Sequence, residues 1–223
     1  MDVLYFDNHL VVVNKPGGVS TQAEEGDSVE KRARLWAKQT FQKTGDVFLY
    51  AVHRLDKPVS GILLLAKTSK ALIRLHESFR ERKMKKTYVA LVEGRLEADE
   101  GVFEDYLKQT EFRTEVSFQK DPKAKQCRLV YKVLQRDSFY SLVEIDLQTG
   151  RYHQIRCQFA ARGHPIVGDR KYGAKFLARQ QGTIALHHQK MQMIHPTTKE
   201  LLTFKAPLPK NWQEWTLELA AFL

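Results

Sequence analysis

Hydrophobic residues fall in short runs along most of this chain, and Gly, Pro, Asn and Asp punctuate the runs. That pattern predicts many strands joined by tight turns. Val3 to Phe6 and Leu10 to Val13 read as a hairpin around Asp7-Asn8, followed by the turn Lys15-Pro16-Gly17-Gly18. Ile62 to Lys67 carries four large aliphatic side chains in six with no alternation, as in a strand buried on both faces. Lys83 to Gly94 begins basic and becomes a strand. Gln126 to Leu134 and Phe139 to Leu147 read as a hairpin around Arg136-Asp137-Ser138, and Ile184 to Leu186, Lys190 to His195 and Leu201 to Lys205 as further strands. Helical spacing is confined to a few places. Leu72, Leu75 and Phe79 form one stripe with Thr68 or Ser69 as cap. Asp27 to Thr40 forms another, with Val29, Leu35 and Trp36 as buried positions. Thr149-Gly150 reads as the start of a third helix, with Ile155 and Phe159 on one face and Gly163 suited to its stop. An amphipathic tail from Trp212 to Leu223 predicts a closing helix. Segments Glu93 to Asp121 and Lys175 to Gly182 fit neither period, and either could be a specificity loop. Strands outnumber helices, so the prediction is an α+β fold with a mixed, mostly antiparallel sheet flanked by helices. At 223 residues and 43% hydrophobic, the chain can make one large domain or two lobes with a common core.

Charge adds a partner class. Lys plus Arg number 36 against 26 Asp plus Glu, a formal charge of +10, which suits phosphate contact but also occurs in proteins with no such role. Its distribution says more. From Lys67 to Lys86 there are eight cations against Glu77 and Glu81, so the predicted helix there packs one face and shows a cationic one, the plainer alternative being a merely solvated basic face. No secretory signal and no apolar stretch long enough to cross a membrane is apparent, which makes the cytosol the default compartment. Cys127 and Cys157 lack paired spacing, so reduced thiols are expected. The histidines, including His187-His188 and His195, are not spaced like His-Glu-x-x-His, and no P-loop or dinucleotide fingerprint is present. Neither a metal nor a nucleotide cofactor is expected.

One segment stands out chemically. His53-Arg54-Leu55-Asp56-Lys57-Pro58-Val59-Ser60-Gly61 places a carboxylate at the mouth of the Ile62 strand, between the cations Arg54 and Lys57. An isolated Asp at that position is ordinarily a turn cap or a partner for Arg54. The whole string, however, resembles the signature His-Arg-Leu-Asp-x-x-Thr-Ser-Gly of the RluA-type pseudouridine synthases, enzymes that isomerise uridine in RNA. Val59 stands where that family usually has Thr, which removes a hydroxyl beside Ser60. Two further segments resemble the same family. In Lys83 to Gly94, Tyr88 matches the family's active-site tyrosine; its ring could stack on a base and its phenol relay a proton, while the simpler reading is a strand aromatic in a core. In Leu147 to Arg156, continuing through Gly163 to Asp169, Arg156 matches the cation that pairs with the catalytic carboxylate, against the commoner fate of a solvated helix arginine. Asn14 to Val19 resembles the first family motif, although this chain continues Ser20-Thr21-Gln22-Ala23 where members commonly have Pro. Ile184 to His187 resembles the last, with Leu186 as an apolar wall against the tyrosine. The match runs from about Leu10 to Pro207.

The resemblance implies two lobes sharing one bent sheet crossed by the catalytic cleft. Residues 1–223 would form a single catalytic domain, with no separate N-terminal RNA-binding module. It further implies Asp56, Tyr88 and Arg156 as catalytic residues, and His53, Arg54, Lys86, Arg151 and Leu186 as substrate-binding ones. Isomerisation adds no atom, so no cofactor is implied. The partner would be ribosomal or transfer RNA with the target nucleotide flipped out. An ionised Asp could attack the sugar carbon or the base, or remove a sugar proton, in a pocket that excludes water. Removing Arg156 from such a pocket would strand a buried anion at about 3–5 kcal/mol. Two other functions compete. A glycosidase cleaving the same bond would want a second carboxylate, and the other acids in the three segments, Glu93 and Asp169, match no catalytic role. A non-catalytic RNA-binding protein that kept the fold would tolerate Asp56→Asn.

Overall fold

The computed structural model describes residues 1–178 and 180–212. Its strands are β1 (Val3–Phe6), β2 (Leu10–Lys15), β3 (Tyr50–Ala51), β4 (Ser60–Ala66), β5 (Lys85–Glu93), β6 (Glu100–Gln109), β7 (Thr114–Ser117), β8 (Lys125–Arg136), β9 (Tyr140–Leu147), β10 (Leu186–Ile194) and β11 (Leu201–Lys205). The helices are α1 (Val29–Thr40), α2 (Ser69–Arg80) and α3 (Gln154–Ala160). The fold is α+β, as the sequence predicts. The closing helix expected from Trp212 onward falls outside the described residues after 212. The chain divides into two compact units, residues 1–84 with 188 onward, and residues 85–187.

In the first unit the strand order is β1-β2-β4-β10, with β3 on β4 and β11 on β10. β2 and β4 run antiparallel in the register Val11↔Leu65, Val12↔Leu64 and Val13↔Leu63. The two-residue period then sorts their side chains. Val11, Val13, Leu63 and Leu65 pack with Val29, Ala33 and Ala37 of α1, while Leu10, Val12, Ile62 and Leu64 pack with Ala71 and Leu75 of α2 and with Met191, Met193 and Phe204. Helices on both faces explain the unbroken apolar run of β4. Each of its four aliphatic side chains is fully buried, contributing about 1.5–3 kcal/mol. Ser28 caps α1 by accepting from Lys31 N, and Thr68 caps α2 by accepting from Ala71 N. Leu35 departs from expectation and is 61% exposed. The buried face of α1 is set by Val29, Ala33 and Ala37 at four-residue steps, and Leu35 lies off it.

The second unit is a sheet in the order β5-β9-β8-β6-β7, with its paired strands antiparallel. α3 covers one side of it, and every residue from Gln154 to Phe159 is buried. The Phe159 ring lies 5.0 Å from that of Phe103 and 5.8 Å from that of Tyr131. Gln158 Nε2 donates to Asp105 Oδ2 at 2.6 Å, tying the helix to β6. Cys127 and Cys157 are free thiols buried in one cluster with Leu107, and burial pushes each up to about 11. Three expectations need correcting. α3 starts at Gln154 behind His153, a left-handed residue with φ 52°, and not at Thr149-Gly150. Thr149 Oγ1 instead accepts from Arg128 N and donates to Gln154 Oε1, fastening the turn to β8. Leu186 and Lys190 to Ile194, read as parts of two strands, belong to one, β10, which runs on through the buried His187 and His188, while Ile184 and Ala185 lie before it. Finally, Glu93 to Asp121 holds β6 and β7.

Candidate active site

Asp56 lies in the first unit on the turn that leads into β4, half-buried, while the residues around it are held by main-chain hydrogen bonds. Thr21 is the first brace: its hydroxyl donates to Leu55 O at 2.9 Å and accepts from Leu55 N at 3.1 Å. Gly18 N donates to Lys57 O at 2.8 Å, and Val59 N to Asp56 O at 3.0 Å, which closes the turn through the main chain. Val59 is buried, and that turn bond involves no side-chain hydroxyl. Lys15 is the second brace and is fully buried. Its Nζ donates to Pro16 O, Val19 O and Lys57 O at 3.0, 2.7 and 3.2 Å, joining two loops at one point. Burial pushes the Lys15 amine down to about 7, and the negative charge of Asp56 pulls it back up.

His53 Nε2 accepts from Leu64 N at 3.2 Å, so the ring carries its proton on Nδ1 when neutral. That ring also stacks on Phe79 of α2, 5.1 Å between centroids. Arg54 is exposed. Gly61 lies within β4 at φ 112°. A Cβ there would stand 2.3 Å from His188 O and 2.5 Å from His188 N, so only glycine lets the main chain of β10 come this close. His188 Nδ1 is 2.8 Å from Ile62 O in the same crossing. His195 Nε2 lies 3.0 Å from Asp7 Oδ2, and its Nδ1 accepts from Thr198 N at 2.8 Å. These histidines serve the fold. Among the described residues, no group of three or more His, Cys, Asp or Glu could hold a metal ion. None of the described helices is long and apolar enough to cross a membrane.

In the second unit Arg156 is 4% exposed, which removes the solvated reading of this side chain. Its Nε and Nη2 donate to Asp169 Oδ2 and Oδ1 at 2.6 and 2.8 Å, a bidentate pair. Tyr172 lies over the guanidinium, 5.1 Å from Cζ to the ring centroid. The Tyr172 hydroxyl accepts from Thr114 N at 2.9 Å and is 3.0 Å from His153 Nδ1, and burial pushes its phenol up to about 12. Tyr88 is buried in β5, opposite Ile145 of β9. Lys86 stands two residues earlier on the same strand face, with Nζ close to Gly150. Arg151 Nε donates to Gln126 O at 3.2 Å, and Leu186 is buried at the start of β10. Glu93 is occupied structurally, accepting from Lys175 N and Phe176 N at 3.1 and 2.7 Å.

The first unit thus carries Asp56, His53 and Arg54, and the second Tyr88, Arg156, Lys86, Arg151 and Leu186. Sequence reasoning passed over Lys15 and Thr21 as braces and Asp169 as the partner of Arg156. A lysine ahead of Pro-Gly-Gly was a usable signal for the first. Nothing in the spacing marks the other two.

Comparison with known proteins gives this arrangement its family. Residues 9–161 match the RNA pseudouridylate synthases. The uncharacterized RNA pseudouridine synthase YhcT of Bacillus subtilis is 36% identical over 219 residues, covering 95% of this chain and 70% of that protein. The tRNA pseudouridine synthase C of Haemophilus ducreyi is 32% identical over 230 residues, covering 96% of this chain and 93% of its own. The solved structure of human RNA Pseudouridylate Synthase Domain Containing 4 shares the fold at a TM-score of 0.79 and 23% identity, over 94% of this chain and 89% of that one. Motifs, fold and relatives agree, and the chain belongs to the RNA pseudouridylate synthase family, whose members are isomerases acting on uridine in RNA.

Proposed function

We propose that this enzyme isomerises specific uridines in structured ribosomal or transfer RNA, with Asp56 as the catalytic carboxylate, Arg156 as its cation and Tyr88 as base contact and proton relay. The observation that carries the reading is the turn around Asp56. Its neighbours on either side are pinned through Thr21 and Lys15, while the carboxylate itself is only half-buried. A group fixed in this way meets a substrate without first losing conformational freedom. The flipped nucleotide would lie near His53, Arg54, Lys86, Arg151 and Leu186. The exposed cations Lys70, Arg80, Arg82 and Lys83 of α2 and the turn after it would take phosphates of the surrounding RNA.

A hydrolytic glycosidase is less well supported. The two other acids of the matched segments are engaged elsewhere, Glu93 with main-chain amides and Asp169 with Arg156, so neither is placed as a second acid or base. The reading is tested by Asp56→Asn. Release of tritium from uridine-labelled RNA is expected to cease while RNA binding persists within several-fold, and full activity in this variant would refute the assignment. In Tyr88→Phe, base binding without efficient product formation is expected, and an unchanged turnover would remove the proton role.

A further inference from the structure

We propose that the two ends of β7 form a stacking contact for single-stranded RNA beside the modified uridine, with Phe112 and Phe118 each taking one base; this rests on the reading that the chain acts on RNA. Both rings stand out in solvent, at 70% and 86% exposure. The fold asks for neither. Phe112 occupies a tight turn between β6 and β7, in which Thr110 N donates to Arg113 O at 2.8 Å and Arg113 N to Thr110 Oγ1 at 3.2 Å, and such turns ordinarily take Gly, Asn, Asp or Ser. Phe118 opens the next turn, where Asp121 N donates to Phe118 O at 3.0 Å and Lys123 N to Asp121 Oδ1 at 2.9 Å. Val116 is exposed between them, so the apolar groups make a row and not a scatter of single side chains.

The row is presented on a fixed main chain. Thr114, buried in β7, donates from N to the Tyr172 hydroxyl at 2.9 Å and from Oγ1 to Tyr152 O at 2.8 Å, and Arg151 Nε donates to Gln126 O at the start of β8. Both sides of the hairpin are therefore tied to the segment that opens α3, and little freedom is lost when a ligand meets the rings. Charge selects that ligand. Lys120, Lys123 and Lys125 follow Phe118 and are exposed, and the one acid among them, Asp121, is paired with Lys108 at 2.8 Å. Rings interleaved with lysines suit bases strung on a phosphate backbone. A second copy of the chain would set these lysines against each other. β7 is also a poor template for pairing along its edge: it is the last strand of its sheet, has four residues and carries Glu115.

The experiment measures the affinity of a fluorescein-labelled oligouridylate for the full chain carrying Phe112→Ala, Phe118→Ala or both. Each single change is expected to weaken binding about 10-fold. The four residues of β7 span about 10 Å, so the rings meet different bases and the double variant is expected to lose about 100-fold, the product of the two. Its melting temperature, its turnover at saturating uridine-labelled RNA and the salt dependence of its binding are expected to match those of the unaltered protein, because no core group and no charge is removed. Unchanged affinity in the double variant would overturn the proposal, and a smaller sedimenting mass beside that unchanged affinity would assign the row to a second copy instead. Phe118→Trp separates stacking from charge. The added fluorescence is expected to be quenched by oligouridylate and not by heparin, which is anionic but has no bases; equal quenching by both would overturn the stacking. Failure of these variants while the unaltered protein releases tritium from RNA would leave the reading of the reaction standing, whereas an unaltered protein that releases none would overturn that reading and this proposal with it.

Discussion

The two units fix their key side chains by opposite means. Around Asp56 the work is done by the main chain: Leu55, Lys57 and Val59 are all held through backbone groups, and Lys15 and Thr21 act on carbonyls and amides. Around Arg156 it is done by side chains, a carboxylate on one edge and an aromatic ring on one face. Main-chain braces are distributed and survive the loss of any one. A bidentate ion pair concentrates its hold in two side chains, so one substitution removes both hydrogen bonds at once.

Four substitutions sharpen that contrast. Asp169→Ala takes both hydrogen bonds of the bidentate pair from buried Arg156 and is expected to cost about 3–5 kcal/mol, read as a lower midpoint in urea unfolding with little change in slope. Gly61→Ala forces a methyl against the main chain of β10 at a positive φ and is expected to cost about 3 kcal/mol; a melting temperature equal to that of the parent would mean the crossing can widen freely. Thr21→Val keeps the shape but leaves Leu55 N and O without their side-chain partner. The expected loss is about 1–2 kcal/mol, and a loss as large as that of Asp169→Ala would contradict the idea of shared bracing. Lys15→Met tests the remaining brace through pH. The folded value of Lys15, about 7, lies below its ordinary 10.5. Burying the charged amine therefore penalises the fold fully below pH 7, and the penalty is relieved as pH rises towards 10.5. The parent should gain at most about 1.4 kcal/mol per pH unit across that window, and Lys15→Met should lose that slope.

How much of this could be read from the sequence follows from how local each signal is. The β4 run and the α2 stripe were legible because burial repeats at the period of the element, and the Asp56 turn because its residues are contiguous. β6 was not. Its deepest side chains, Phe103 and Leu107, are four apart, a spacing that also fits a helix, and the intervening residues are largely polar or charged. Leu35 is misleading because hydrophobicity alone does not show that the small Ala33 and Ala37 set the packed face of α1. The start of α3 was misplaced because His153 adopts a left-handed conformation that Gly150 was better suited to supply. Arg156 was found by motif, but its bond to Asp169 crosses a helix, a turn and a β-bridge at Ile166. No periodicity spans such a path.

The cysteines of this chain have a practical corollary. With Cys127 and Cys157 both enclosed and their thiols held up to about 11, almost none of the nucleophilic thiolate form exists near neutrality. Maleimides and other alkylating reagents should pass over the native protein. A cysteine engineered onto an outer position such as Lys70 would then be the one reactive handle, ready for a fluorophore or a crosslinker without any background to subtract.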